Sequence, residues 1–537
     1  MTEITDIPPR EAETRTPPLW WTWAEIALIV AVFYLSCPAP PPGVNEPHYL
    51  CRLRHAVDPS YCPGDLFLES PDAHYTFVLV FAPLTRFFSL EAVAWLGRLV
   101  TWVLVAWAWQ RLSWTVVPRP LFATLAAALV IVGIAEGNFA GEWLVGGFES
   151  KPIAYAFVFL ALRAWILGNW NWAWVHLGIA SAWHALVGGW SVLILLALWL
   201  GGWRREQSFV GMLPGLVIGG VISLAGIIPA LLTSAGEPPE VRAEAAQVYV
   251  FERLAHHLAP LHKKAEWIAE RALRHATVAS LFAALLALRI RMLRENEDVK
   301  LRDDPACRIA FYAAGAIVLA IIGALVELVL WNHPTAAASL LRYYWFRLVD
   351  VAVPMAAALL WIRLLADLMA ARDRWAPAML TIMLLVAGVP LGIAMRDYAA
   401  KPVAVSDARR RDVADWLDIC QWVKDETPTD ALFLTPRGNT SFKWHGERAE
   451  VVTYKDIPQN ATGLIEWRRR LYDVFKPDGD PDQPWVGSLG QLGTPRIMEL
   501  ADKYQVDYVL TRHGAPLSLP IAYDNKTYVV YEIQNNE

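Results

Sequence analysis

Apolar residues in this sequence run in unbroken blocks rather than in alternation, and several blocks last about 18 residues or more. A block that long, coiled as a helix, spans the ~30 Å of hydrocarbon in a bilayer. Spans are predicted at 19–36, 94–117, 121–135, 152–168, 208–232, 309–331, 347–369 and 376–395. The block 171–200 is long enough for two short spans, with the break expected near Gly188-Gly189, and 276–290 makes a short further one. The stretch 75–90 is ambiguous between a crossing and a juxtamembrane or re-entrant helix. Trp is abundant, 27 of 537 residues, as suits rings that sit at the membrane–water boundary. The net charge of −5, without a basic domain or a recognised motif, gives no support for nucleic-acid binding.

Lys and Arg in short loops set the orientation. Arg111/Arg119, Arg204-Arg205, the run Arg289 to Arg308 and Arg372/Arg374 fall on one side if 75–90 does not cross. That predicts about 11 crossings with the 1–18 tail inside, a membrane domain over 19–396 and residues 397–537 outside. The outer loops 37–74 and 233–275 are then large; the second carries Lys263, Lys264, Arg271 and Arg274, against the rule, which binds long loops less. The run Leu19 to Ser36 is read as a retained first span, since the preceding tail is acidic rather than basic. Cys51 and Cys62 share the first outer loop and are a candidate disulfide in an oxidising compartment, with free thiols as the alternative.

After Arg396 the long apolar runs stop. Helices are predicted over Asp407–Lys424, Asn460–Phe475 and from Thr494-Pro495 to Tyr504, and strands at Ala431–Thr435, Glu450–Tyr454, Val506–Thr511 and Thr527–Ile533. This alternation predicts a small α/β domain, whose ligands would gather beyond the strand C-termini. Thr435, Arg437, Lys455 and Arg512 stand at those ends as acceptor-side candidates.

Four clusters could carry chemistry. The first outer loop reads Asn45-Glu46-Pro47-His48-Tyr49, then Asp58 and Asp65; a carboxylate beside apolar helices is a candidate general base. At the mouth of a span, Glu149 and Lys151 follow Glu136 and Glu142, an ionised set that is costly unless paired, watered or used on a lipid phosphate. Arg253, His256 and His257 lie within one helical turn and suit a phosphate leaving group, or lipid head groups. Arg342 opens an aromatic run that ends at Arg347, read as interfacial belt or as a further phosphate contact. His184 is read as a packed core histidine within a span. No cofactor motif, Walker loop, dinucleotide fingerprint or nucleophile elbow occurs; a divalent metal is the one alternative, since the His256-His257 pair could bind zinc, but no third ligand follows at a standard spacing.

The acidic residue a few positions before a Tyr soon after the first span, followed by a long loop with a further Asp, resembles the GT-C class of membrane glycosyltransferases. The whole chain also resembles a bacterial membrane-protein family of unknown function. The GT-C resemblance implies transfer of a sugar from a polyprenyl-phosphate donor to an acceptor on the outer face of the bacterial inner membrane, by inversion. Glu46 would be the base, with Asp65 and Asp58 as lesser candidates, and Lys151, Glu149, Arg253, His256, His257 and Arg342 would hold the lipid phosphate. Membrane lipids are the other expected partners. The competing readings are a lipid or polysaccharide transporter, which predicts polar residues through the bilayer depth and repeated halves, and a non-catalytic scaffold.

Overall fold

Apolar blocks of this length become helices because in lipid every backbone N–H and C=O must be satisfied within its own segment. In the computed structural model, which describes residues 17–202, 206–295, 300–480 and 482–534, each of the eleven predicted blocks is helical. They are α1 (Leu19–Ser36), α4 (Leu90–Val116), α5 (Phe122–Gly137), α6 (Ser150–Ile166), α7 (Trp170–Trp183), α8 (Ala185–Gly201), α9 (Phe209–Leu232), α12 (Ala265–Glu295), α13 (Pro305–Val329), α15 (Val349–Ala370) and α16 (Ala376–Ala400). Seven of these are long and apolar enough to cross a membrane by length and composition; α5, α6, α7 and α8 are shorter. The chain is therefore an integral membrane protein with a mostly helical body.

Several helix starts are written locally. Ser89, Asn169, Ser208 and Asp304 each accept a backbone N–H of the helix they precede. The block 171–200 breaks at His184 rather than at Gly188-Gly189. The His184 ring caps α8 by accepting the Val187 N–H at 3.3 Å, so this residue is a helix junction and not a mid-span histidine. The short 276–290 prediction grows into the 31-residue α12, because its amphipathic ends Ala265–Ala276 and Arg291–Glu295 continue the same helix beyond the apolar centre. Residues 75–86 form α3 (Tyr75–Phe81) and a 3₁₀ turn, about 18 Å of chain at ~1.5 Å per residue and too short to cross. Thr76 binds the Ala225 carbonyl near the C-terminal end of α9. Helices α7 and α9 press together on glycine: a Cβ on Gly219 would stand 2.3 Å from the Trp174 carbonyl oxygen.

The helix ends sort into two groups. At one end Arg289 binds Asp304 and Asp367, Arg308 binds Glu206 and the Trp165 carbonyl, and Arg363 reaches the Val116 carbonyl. At the other end gather the 37–74 loop with α2 (Glu46–Val57), the 138–149 loop and the 233–264 segment. That segment is ordered as α10 (Pro239–Gln247), a π turn over Val248–Arg253 and the single-turn α11 (Ala255–Leu258). The short α14 (Pro334–Leu341) also lies there, with Gln247 bonded to Thr335.

The tail is a five-stranded sheet of order β2-β1-β3-β5-β4, with β1 (Leu432–Leu434) parallel to β2 (Ala449–Glu450) and β3 (Tyr508–Arg512), and β5 (Tyr528–Glu532) antiparallel to β3 and to β4 (Ile521–Asp524). Helix α17 (Val413–Glu426) and the short α18 (Phe442–His445) cover one face through Trp416, Ile419, Phe433 and Val530. Helices α19 (Ala461–Phe475) and α20 (Gly493–Tyr504) cover the other, in a core that Val248 and Leu66 of the membrane part also join. The strand expected at Glu450–Tyr454 is two residues long and starts one residue earlier, and β4 is absent from the prediction. Cys51 and Cys62 are buried free thiols.

Candidate functional site

Glu46 opens α2 with no exposure at all. Both its oxygens are held by Arg98 of α4, at 2.7 and 2.6 Å, and each also accepts a backbone N–H, from Phe148 at 2.7 Å and from Gly43 at 2.6 Å. A Cβ on Gly147 would lie 2.8 Å from Glu46 Cγ, so the 138–149 loop reaches this pair only because residue 147 has no side chain. A carboxylate bound on all sides in this way ties three segments together and presents no lone pair to an acceptor. Asp65 is likewise buried: it accepts the Phe67 and Leu68 N–H groups and pairs with Lys443 at 3.2 Å. Asp58 makes an exposed Asx turn with Ser60, away from the other candidates.

The mouth of the membrane domain is built from the loop before α6. Asp350 accepts the N–H groups of Phe139, Ala140 and Glu142, which fixes that loop against α15. Glu142 then bridges Lys151 at 3.1 Å and Arg347 at 2.5 Å. Lys151 sits 3.4 Å above the Trp143 ring and 3.7 Å from Glu149. Glu149 accepts from Asn45 at 3.1 Å, and Asn45 in turn accepts from Lys455 of the tail at 2.5 Å. Burial pushes the Glu149 carboxyl above its usual range, against the pull of Lys151. Arg347 also contacts His184 at 3.1 Å.

Above this mouth lie the 253–257 turn and the tail residues Tyr454 and Lys455. Arg253 donates to the Tyr454 carbonyl at 2.9 Å and stacks 4.6 Å from that ring. His257 binds the Ala140 carbonyl, and the His256 and His257 rings lie 3.9 Å apart. Burial and then Arg253 lower His256 to about 4, so it is neutral at physiological pH. Burial and then Arg253 lower Lys455 to about 8. Arg253 is 8% exposed and Lys455 and Arg437 are half-buried, yet among the described residues none of the three makes an ion pair. Desolvated cations without a close counter-ion are costly, and a bound anion relieves that cost.

The structure thus brings Lys151, Glu149, Arg253, His256, His257 and Lys455 into one neighbourhood, with Arg437 adjoining through Tyr454. It does not bring in Asp58, Arg512, which is exposed at the end of β3, or Arg342, which is exposed beside Tyr343. The sequence marks Arg347 only as the end of the Arg342 run, whereas the structure makes it the half-buried partner of Glu142. Sequence reading gives no role to Arg98, although an Arg inside an apolar block is itself a signal. It also missed Lys443, which is 4% exposed and holds Asp65, Glu450 and Asp456 at 3.2, 2.9 and 2.6 Å, while His48 binds Asp456 at 3.1 Å. No group of three or more His, Cys, Asp or Glu placed to hold a metal occurs among the described residues.

Fold and site together define a polytopic helical membrane protein whose small C-terminal α/β domain closes over a cation-rich mouth. Residues 414–474 match a domain of unknown function, DUF6798. No curated protein matches the sequence. Among solved structures, the chain is similar to the oligosaccharyltransferase AglB of Archaeoglobus fulgidus in complex with an inhibitory peptide and a dolichol-phosphate, with a TM-score of 0.49 and 11% identity over 91% of this chain and 69% of that one. It is also similar to ArnT from Cupriavidus metallidurans bound to undecaprenyl phosphate, with a TM-score of 0.37 and 13% identity over 96% and 98% of the two chains.

Proposed function

We propose that this protein is a GT-C-like glycosyltransferase that moves a sugar from a polyprenyl-phosphate donor to an acceptor on the outer face of the bacterial inner membrane. The observation that carries this reading is a pair of cations, buried Arg253 and half-buried Lys455, at the mouth of a helical membrane domain, neither in an ion pair among the described residues and next to a buried carboxylate, Glu149. Cations there fit the phosphate of a lipid whose chain lies in the bilayer. The acceptor oxygen would attack the anomeric carbon while Glu149 takes its proton. The bond from that carbon to the phosphate oxygen would break, and its electron pair would leave on the phosphate facing Arg253 and Lys455. Glu149 replaces Glu46 as the base in this scheme because Glu46 has no free lone pair. Lys151 and Arg347 set the position of Glu142 and Glu149 around it.

The test is the lipid that travels with the protein. Purified in mild detergent, the wild type should carry a prenyl-phosphate sugar visible by native mass spectrometry. An Arg253→Gln/Lys455→Gln variant that folds normally should lose about nine-tenths of it. Ordinary phospholipid alone, equal in both proteins, would remove the donor site from this reading.

A further inference from the structure

Beyond the donor site, one partly buried guanidinium on the tail has no hydrogen-bond or ion-pair partner among the described residues. Arg437 follows β1 in the turn Pro436-Arg437-Gly438, and its backbone carbonyl accepts the Tyr454 N–H at 3.1 Å. Its side chain lies between two rings, 4.7 Å from Trp485 and 5.8 Å from Tyr454. It makes no side-chain hydrogen bond and no ion pair among the described residues, and its Nε is buried without an acceptor. Burial lowers its pKa, and among charged or titratable neighbours only the Tyr454 phenol opposes that. A stacked guanidinium is held flat and gives up little freedom when it binds. Its uncovered N–H fork matches the two oxygens of a carboxylate or phosphate. Tyr454 also carries Arg253 on its ring, so one aromatic residue separates this fork from the donor cations.

We propose that Arg437, set by Tyr454 and Trp485, is a second anion subsite that binds the carboxylate or phosphate of an acidic saccharide. Calling that saccharide the acceptor rests on the transferase reading; the binding itself does not. The position suits it: the subsite stands beyond the C-terminal ends of the parallel strands, on the tail side of Glu149 and Lys455. Arg512, at the end of the next strand, is exposed and lies apart beside Tyr528.

The full chain in detergent is titrated with a galacturonate hexamer, with maltohexaose as the neutral control, and with an inositol hexakisphosphate arm for the phosphate form of the ligand. The wild type should bind at least one of the two anions about ten-fold more tightly than maltohexaose, and which one it prefers names the anion. Arg437→Gln should lose that preference, and Arg437→Lys should keep part of it, which shows that the site still folds. Retention of prenyl-phosphate lipid should not change in either variant. Equal binding of acidic and neutral sugars by the wild type, or unchanged binding by Arg437→Gln, would overturn the subsite. Loss of the prenyl-phosphate lipid in Arg437→Gln would do so too, by merging it with the donor site. Absence of that lipid from the wild type as well would instead count against the transferase reading alone.

Discussion

Two carboxylates 103 positions apart in sequence have opposite surroundings, and those surroundings separate a structural from a reactive role. Glu46 spends every lone pair on Arg98, Gly43 and Phe148. Glu149 is as deeply buried, but takes one hydrogen bond from Asn45 and a looser contact from Lys151 at 3.7 Å. Breaking a buried ion pair from one side leaves an uncompensated charge, at a cost of about 3–5 kcal/mol. Glu46→Gln is therefore expected to lower thermal stability strongly, and Glu46→Gln/Arg98→Met to recover much of the loss. Glu149→Gln should melt near the wild type and retain the lipid. Its turnover of sugar-loaded lipid should fall by roughly 10²–10⁴, the usual size of a lost general base. Wild-type turnover by a folded Glu149→Gln would end its assignment as base.

At the scale of elements, one lysine gathers the buried carboxylates at the joint between tail and membrane domain. Lys443 of α18 faces Asp65 from the first loop and Glu450 and Asp456 from the tail, and Tyr61 binds its carbonyl. Lys443→Met would strand three carboxylates and should make the tail separable: faster cleavage between 400 and 413 by added protease, with destabilisation again of about 3–5 kcal/mol. The same cluster gives the joint a pH dependence. Burial raises Glu450 to about 7, while Lys443 and His48 hold Asp456 well below its usual range despite burial. A raised carboxyl contributes stability that is present below its unfolded value and lost as pH rises through the folded one. The Glu450 contribution should thus fade between about pH 5 and 8. The melting temperature of the wild type should drop over that window, and that of Glu450→Gln should drop less. A parallel decline in both would take Glu450 out of the effect. Asp456 acts only in strong acid, below this range.

Which of these features a sequence can carry depends on how far apart their parts lie. The membrane helices were readable because a span announces itself in twenty consecutive residues, and α17, α19 and α20 because their apolar faces repeat within one helix. Strand β4 escaped because it is an edge strand with its residues half-exposed, so burial imposes no alternation on Ile521–Asp524. The break at His184 escaped because Gly188-Gly189 looks weaker as a helix, whereas the junction is decided by the ring cap on Val187 and by Arg347, 163 residues away. The phosphate candidates Lys151, Arg253, His256 and His257 were legible as charges at a membrane surface. Their distribution of roles was not, because it is set by Glu46–Arg98, Glu142–Arg347 and Lys455–Asn45, pairs joined only by the fold.

For the whole molecule, sidedness decides whether the mouth can meet an outer-face acceptor. The loop 37–74, the 233–264 segment and the tail touch one another, so they share one side whichever side that is. The opposite end is short-looped and holds Arg289, Arg302, Arg308 and Arg363, with Arg372 and Arg374 in the turn between α15 and α16. Short loops rich in Arg stay inside by the positive-inside rule, so the tail is expected outside. Two single cysteines read this directly. Glu426→Cys lies on the exposed end of α17 and Arg374→Cys in the exposed far turn, while four of the five native thiols are buried and Cys37 is half-buried. On intact cells a membrane-impermeant maleimide should label residue 426 at once and residue 374 only after permeabilisation. The reverse pattern would put Glu149, Arg253 and Lys455 on the cytoplasmic face, and transfer to an outer acceptor would then have no site from which to proceed.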